Sequence, residues 1–400
     1  MSWSRVRRVV AAAALVLMGV AQYACASAQD RKVAPPDDPE VRLGRENAAE
    51  NDKTVKLITD AAVLDRVNKI GQAIAAVANT IDVPVFWGQP SKKAFAYTFK
   101  VVDDKDVNAY SLPGGFIYVN KGLLAFVKSD DELAGVLAHE VAHAAHHHMM
   151  KLIAEQEKIQ QRIILPTILA AVLGGANTNT LGTFALAGQL YTVARLNTYG
   201  IEAEKDADQA GVRFLMKTGY NPVGLLTFME RLAREERLKP QMELGIYRTH
   251  PPSPERAEAL VAELRELGVP IYRRETDPSL AASVDTGSGE ETALAEVTMS
   301  RTIVARVAAE GSETARTRAE RIAGRLNRLF DEGLQMVDLR LSTDKTRIIA
   351  RSETLIAFTQ ADADAQKQTV QQIASGAYDT LRNLIWQDQF NRIRSSSDGG

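Results

Sequence analysis

Two histidines four residues apart, with a glutamate directly after the first, point to a helix built around a metal ion. The chain has six histidines, and five of them fall between residues 139 and 148. Among these, His139-Glu140-Val141-Ala142-His143 is an HExxH motif. Helical positions four apart share a face, so both imidazoles can reach one ion. Glu140 stands about 100° further round the helix. That keeps its carboxylate beside the ion as a base for a bound water, and outside the ligand set.

The flanks agree with a helix. Ser129-Asp130-Asp131-Glu132 reads as a capping box with acidic residues in the first turn. Leu133, Val136, Leu137, Val141 and Ala144 follow at helical spacing. No glycine or proline lies between Val136 and Leu165, so the pattern predicts a helix that runs well past the histidines.

A metal site needs a third protein ligand and an open position for water. Downstream, Glu204-Lys205-Asp206-Ala207-Asp208 lies in a helical stretch, and Glu204 and Asp208 share a face. Spacing alone leaves Glu202, Glu204 and Asp206 open as the ligand. The sixth histidine, His250, stands in the proline-stiffened loop Thr249-His250-Pro251-Pro252-Ser253-Pro254-Glu255-Arg256. His146, His147 and His148 also allow a metal carrier, but free histidine tracts usually sit at termini or in loops.

Thiolates are not available as ligands. Arg5, Arg7 and Arg8, the apolar run from Val9 to Val20 and Ala26-Ser27-Ala28 read as a signal peptide over residues 1–28, cleaved near Ala28. Cys25 is the only cysteine, and Gln22-Tyr23-Ala24 make a poor lipoprotein box before it, so lipidation is the weaker reading. The expected location is the periplasm, and the expected chain after cleavage has no cysteine. A net charge of -2 argues against a nucleic-acid partner.

The rest of the chain divides by composition. Residues 29–44 read as a linker and 45–270 as the main domain. Residues 271–293 read as a flexible linker, 294–392 as a small α+β module, and 393–400 as a disordered tail. Strand-like patterning marks Val83 to Val119, with a sharp turn at Gly114-Gly115. The apolar runs within 163–190 are too short to span a bilayer, and suggest buried helices or a hairpin that touches a membrane surface.

Four features, in order, resemble the M48 family of zinc metallopeptidases, and most closely its soluble periplasmic branch. They are Asn108-Ala109-Tyr110-Ser111-Leu112-Pro113-Gly114-Gly115, His139-Glu140-xx-His143 with the trailing His148, Glu204-xx-Ala207-Asp208, and His250-Pro251 with Arg256. The resemblance covers about residues 45–265. It implies an α+β fold: a mainly helical, zincin-like domain with a small sheet, ahead of the C-terminal module. It implies one Zn2+ per chain on His139, His143 and Glu204, with Asp208 holding a ligand histidine. Glu140 is then the general base, and His250 and Arg256 are catalytic helpers. His250 resembles a loop histidine that caps the site, either as an extra ligand or against substrate. The Gly114-Gly115-Phe116 segment resembles an edge strand that binds extended peptide. His147 departs from the pattern, where arginine is common.

The expected function is therefore an exported zinc endopeptidase acting on unfolded or misassembled envelope polypeptides. A zinc-stabilised chaperone with a latent site is the alternative. Residues 294–392 would suit a protein partner.

Overall fold

The computed structural model describes residues 31–90, 93–155, 200–238, 244–250, 254–285 and 294–391. The signal-peptide stretch 1–28, the apolar stretch 163–190 and the tail 393–400 lie outside the described residues.

Two helices open the fold, α1 (Pro39–Thr54) and α2 (Ala61–Ala78). Each begins at an aspartate, Asp38 or Asp60, whose side chain accepts from first-turn amides. Residues 31–44 are not a loose linker. Arg31 donates to the carbonyls of Ala78 and Ile81, Val33 bridges to Ala94, and residues 39–44 are already helical.

A three-stranded sheet follows, with β1 (Thr98–Val102), β2 (Ala109–Leu112) and β3 (Phe116–Asn120) in the order β1-β3-β2. β3 is parallel to β1 and antiparallel to β2, so Phe116 belongs to the central strand. This corrects the edge-strand expectation. Gly114 and Gly115 form a buried turn between β2 and β3, and Gly114 has φ 74°, a left-handed conformation that suits glycine. α1 packs on that turn: a Cβ on Gly44 would sit 1.8 Å from the Pro113 carbonyl oxygen. β2 is the outer strand, and the Lys56–Ile58 backbone hydrogen-bonds along β1 on the other side. The expected strand at Val83–Trp87 is absent.

After α3 (Lys121–Phe126), the motif helix α4 (Asp130–Ala145) runs through the core, and every residue from Glu132 to Ala144 is buried. Ser129 Oγ caps it by accepting from the Glu132 amide at 3.2 Å, and the Glu132 carboxylate returns to the Lys128 amide. α5 (Ile201–Leu215) and α6 (Val223–Leu238) pack on α4. Gly135 and Gly224 let α4 and α6 touch backbone to backbone: a Cβ on either would lie within 2.6 Å of the other helix. α7 (Gly245–Thr249) and α8 (Pro254–Glu266) complete this part.

α4 ends sooner than its sequence suggests. His146 caps it, His147 takes φ 55°, and residues 148–155 resume as helix. The peptide is held in this break by the Gln89 amide, which donates to the His146 carbonyl at 2.9 Å.

The C-terminal part has its own apolar core, separate from the one around α4. It comprises β4 (Ala282–Asp285), β5 (Ala295–Met299), β6 (Thr302–Val307), α10 (Ala315–Asp331), β7 (Leu339–Leu341), β8 (Arg347–Ala350), β9 (Glu353–Ala357), α11 (Gln360–Gln366) and α12 (Val370–Asn391). Two antiparallel sheets, β4-β5-β6 and β7-β8-β9, pack with α10 and α12. β4 and the short helix α9 (Arg273–Thr276) occupy the stretch expected as a flexible linker. That stretch is a clasp. Arg274 pairs with Asp331 at 2.8 Å and Asp388 at 2.7 Å, while Thr276 accepts from Ser129 Oγ at the head of α4. Asp277 meets Arg231 at 2.9 Å, and Arg231 also pairs with the buried Glu132.

Candidate metal centre

His139 and His143 leave α4 on one face, and their Nε2 atoms lie 2.9 Å apart. α5 brings Glu204 opposite them, with Oε2 3.3 Å from His139 Nε2 and Oε1 3.5 Å from His143 Nε2. The loop after α7 adds His250, whose Nδ1 is 3.0 Å from Glu204 Oε1 and 3.2 Å from His139 Nε2. The ligand atoms of these four residues all lie within 4.8 Å of one another, and all four are buried. Glu140 is buried beside them. Its Oε1 is 3.4 Å from His250 Nε2, and its Oε2 meets no hydrogen-bond donor among the described residues.

The α5 helix explains why these carboxylates converge. Glu204 and Asp208 are one turn apart, and Asp208 Oδ1 reaches His139 Nδ1 at 2.9 Å. Arg256, from α8, braces both. Its Nε and Nη2 each contact Asp208 at 2.8 Å, and its Nη1 contacts Glu204 Oε2 at 2.8 Å. Each guanidinium nitrogen thus faces a carboxylate. Arg256 is positioned as a strut between the two carboxylates.

The donor set fits a divalent cation. Glu140, Glu204 and Asp208 are three buried carboxylates accompanied by one buried guanidinium. The carboxylates outnumber the guanidinium, and a dry interior does not tolerate unpartnered negative charge. Burial opposes a charge on His139, but its hydrogen bonds to Asp208 and Glu204 outweigh this and push its pKa up to about 10. Burial and the neighbouring His139 hold His143 well below the ordinary range, as a neutral ligand. Burial would raise Glu204 and Asp208, yet His250 and Arg256 depress the first, and Arg256 and His139 the second. The site draws positive charge to the point that the two Nε2 atoms face. Nitrogen and oxygen donors with no thiolate suit zinc.

Other residues were less visible in the sequence. Asp206 is buried like Asp208, but receives His146 Nδ1 and His148 Nε2 on one oxygen. His147, the departure from the pattern, pairs with Glu40 of α1 at 2.7 Å. Asn108 accepts from Thr249 Oγ1 at 3.1 Å, next to His250. Gly114 and Gly115 form the β2–β3 turn beneath α1, and Phe116 opens β3. A small pocket opens beside His139 and Glu140, lined by Val136, Leu225, Phe228, Met229, Leu232 and Ile246.

Residues 68–264 match the model of peptidase family M48. The chain carries an M48 peptidase domain. The M48 match spans α4, α5 and the His250 loop, and so takes in every member of the cluster. Residues 296–387 match a second model, described as a domain of unknown function (DUF8459). Among curated proteins, the chain is 25% identical over 218 residues to a beta-barrel assembly-enhancing protease of Yersinia pestis, covering 54% of this chain and 41% of that protein. It is 30% identical over 176 residues to the mitochondrial metalloendopeptidase OMA1 of Schizosaccharomyces pombe, covering 44% and 48%. It is 26% identical over 219 residues to the metalloprotease LoiP of Escherichia coli, covering 52% and 79%. The chain spans only 35–41% of the length of the assembly-enhancing proteases it matches.

Proposed function

We propose that this protein is an exported zinc endopeptidase that hydrolyses unfolded or misassembled polypeptides of the bacterial envelope. One observation carries the reading. Two imidazole Nε2 atoms and the Glu204 carboxylate converge beside a buried Glu140 whose Oε2 meets no donor among the described residues.

His139, His143 and Glu204 hold one zinc ion per chain. When bound, the ion supplies Lewis acidity to the water and to the peptide carbonyl. Glu140 takes a proton from the attacking water and delivers it to the leaving amine. Asp208 fixes His139, and Arg256 holds Asp208 and Glu204 in place. The outer strand β2 offers backbone groups to an extended substrate, in place of the Gly114–Phe116 segment. The apolar pocket beside Glu140 accepts a hydrophobic substrate side chain. Residues 45–270 serve as the peptidase unit and residues 294–392 as a partner-docking module. Periplasmic placement follows from the signal-like N-terminus, and no helix among the described residues is long and apolar enough to cross a membrane.

A second reading has its own support. His250 Nδ1 stands among the ligand atoms, where it takes the position that substrate and water need. This arrangement is a closed, latent form, and a chaperone that rarely cuts would keep it. Digestion of an unfolded protein by residues 29–400 tests both readings, with Glu140→Gln alongside. The peptidase reading expects cleavage by the parent chain and a loss of about 10²- to 10⁴-fold in the variant, with zinc content unchanged. Equal cleavage by both would sink the role of Glu140. No cleavage by either zinc-loaded protein would favour the latent form.

A further inference from the structure

The two ligand histidines are supported differently. His139 Nδ1 meets the Asp208 carboxylate directly. His143 Nδ1 meets another imidazole, His148 Nδ1, at 2.9 Å. A nitrogen pair at that distance shares one hydrogen, and which ring owns it decides whether His143 can bind a metal through Nε2.

Asp206 decides the ownership. Its Oδ1 accepts from the Phe86 amide at 2.8 Å and the Trp87 amide at 3.1 Å. Its Oδ2 faces His146 Nδ1 and, at 3.0 Å, His148 Nε2. An ionised carboxylate only accepts, so His148 Nε2 carries a hydrogen and donates. In a neutral His148, Nδ1 is then a bare lone pair. His143 Nδ1 must supply the shared hydrogen, which leaves its Nε2 lone pair facing His139 and Glu204.

We propose that His148 and Asp206 are positioning residues that fix His143 as the tautomer able to bind the metal, through an imidazole-to-carboxylate relay. The inference rests on the metal reading above and concerns residues outside the ligand set. Fixing the tautomer and orientation of a ligand imidazole in advance strengthens metal binding.

The backbone is built for this contact. On an unbroken helix, position 148 would lie about 140° round from position 143, facing away. The left-handed turn at His147 folds His148 back over His143, with ring centroids 4.9 Å apart. The loop at residues 86–89 closes over the break. Gly88 has φ 144°, and a Cβ there would lie 2.4 Å from the His146 carbonyl oxygen. Trp87 lies edge-on to His148 at 5.1 Å, and its backbone also accepts a hydrogen bond from that ring. A second metal ion on His146, His148 and Asp206 would use the same atoms, but the hydrogen bonds already account for their closeness.

The test uses the full chain with zinc alone as probe. Zinc affinity is measured by chelator competition for the parent, His148→Gln, His148→Leu and Asp206→Asn, with apo unfolding midpoints recorded for each. A glutamine carbonyl can still accept from His143 Nδ1, whereas leucine cannot. The relay expects His148→Gln to stay close to the parent, and His148→Leu to bind zinc about 10- to 100-fold more weakly. Equal affinity in Leu and parent, or equal loss in Gln and Leu, would overturn it. Nitrogen-15 imidazole spectra of the zinc-loaded parent give a check that needs no variant. They should show both ligand rings bound through Nε2 with hydrogen on Nδ1. Binding of His143 through Nδ1, or a His148 with hydrogens on both nitrogens, would overturn the relay while leaving the zinc site intact. A second zinc equivalent lost in His146→Ala would replace the relay with an ion. Failure of the parent to bind zinc at all would end the metal reading itself.

Discussion

In the C-terminal module, Arg318 and Asp362 meet as a buried pair, with contacts of 2.8 and 3.1 Å, and the exposed Glu310 adds a 3.5 Å contact to Arg318 Nε from the surface. The remaining donors are used locally: Arg318 reaches the Ala308 and Ala357 carbonyls, and Asp362 accepts from the Ala308 and Thr359 amides. Within the buried part of that cluster, one carboxylate meets one guanidinium. Around His139, three buried carboxylates stand beside one guanidinium, which contacts two of them, and Glu140 Oε2 meets no donor among the described residues. The protein can therefore bury charge in balance, and at α4 it leaves a negative excess. The contrast teaches that such an excess, beside converging imidazoles, signals a cation more strongly than the motif does alone.

The largest expected effect separates the two clusters outright. His143→Ala should lose both zinc and cleavage, while Arg318→Met should keep both; zinc stoichiometry and digestion rate decide. Next come the two arginines. Arg256→Met and Arg318→Met should each destabilise the chain by about 3–5 kcal/mol, because each strands buried carboxylates. Denaturant titration with and without zinc should show weakened zinc binding only for Arg256→Met, and a similar loss in Arg318→Met would erase the contrast. Chelation should remove close to 3 kcal/mol when free zinc had stood at about a hundredfold excess over Kd. Hydrogen exchange should then report lost protection in α4 and α5 but not in α10 or α12. Protection lost equally in both parts would mean that they share one stability. Ser129→Ala should cost the least, about 1 kcal/mol for a lost helix cap, with unchanged zinc content.

The motif helix was legible where local chemistry acts alone. Ser129 caps it, the acidic residues follow, and His139 and His143 share a face as the spacing requires. Glu204 was one of three candidates by spacing, and only the resemblance singled it out. Its carboxylate does lie against both histidines, whereas Asp206, equally acidic, turns toward His146 and His148. The end of α4 was not legible. Neither glycine nor proline marks it, and the non-glycine left-handed residue at His147 is held by tertiary contacts, Glu40 on its own ring and the Gln89 amide on the preceding His146 carbonyl. Strand order escaped for a similar reason: Phe116–Asn120 lies between β1 and β2 because β1 reaches it across the fold, and alternation cannot say which neighbour pairs. The clasp at Arg273–Asp277 looked like a linker because its polarity serves ion pairs with Glu230, Asp331 and Asp388 rather than water.

The break at His147 gives the histidine cluster a reading frame. His139 and His143 are counted along a helix, but His148 is counted across a bend. One residue gained or lost between Ala144 and His147 would leave HExxH intact while turning the trailing imidazole away from its neighbour. The distance from the motif to that histidine therefore measures a backbone turn, and a sequence with intact ligands but a shifted trailing histidine should be expected to hold its metal differently.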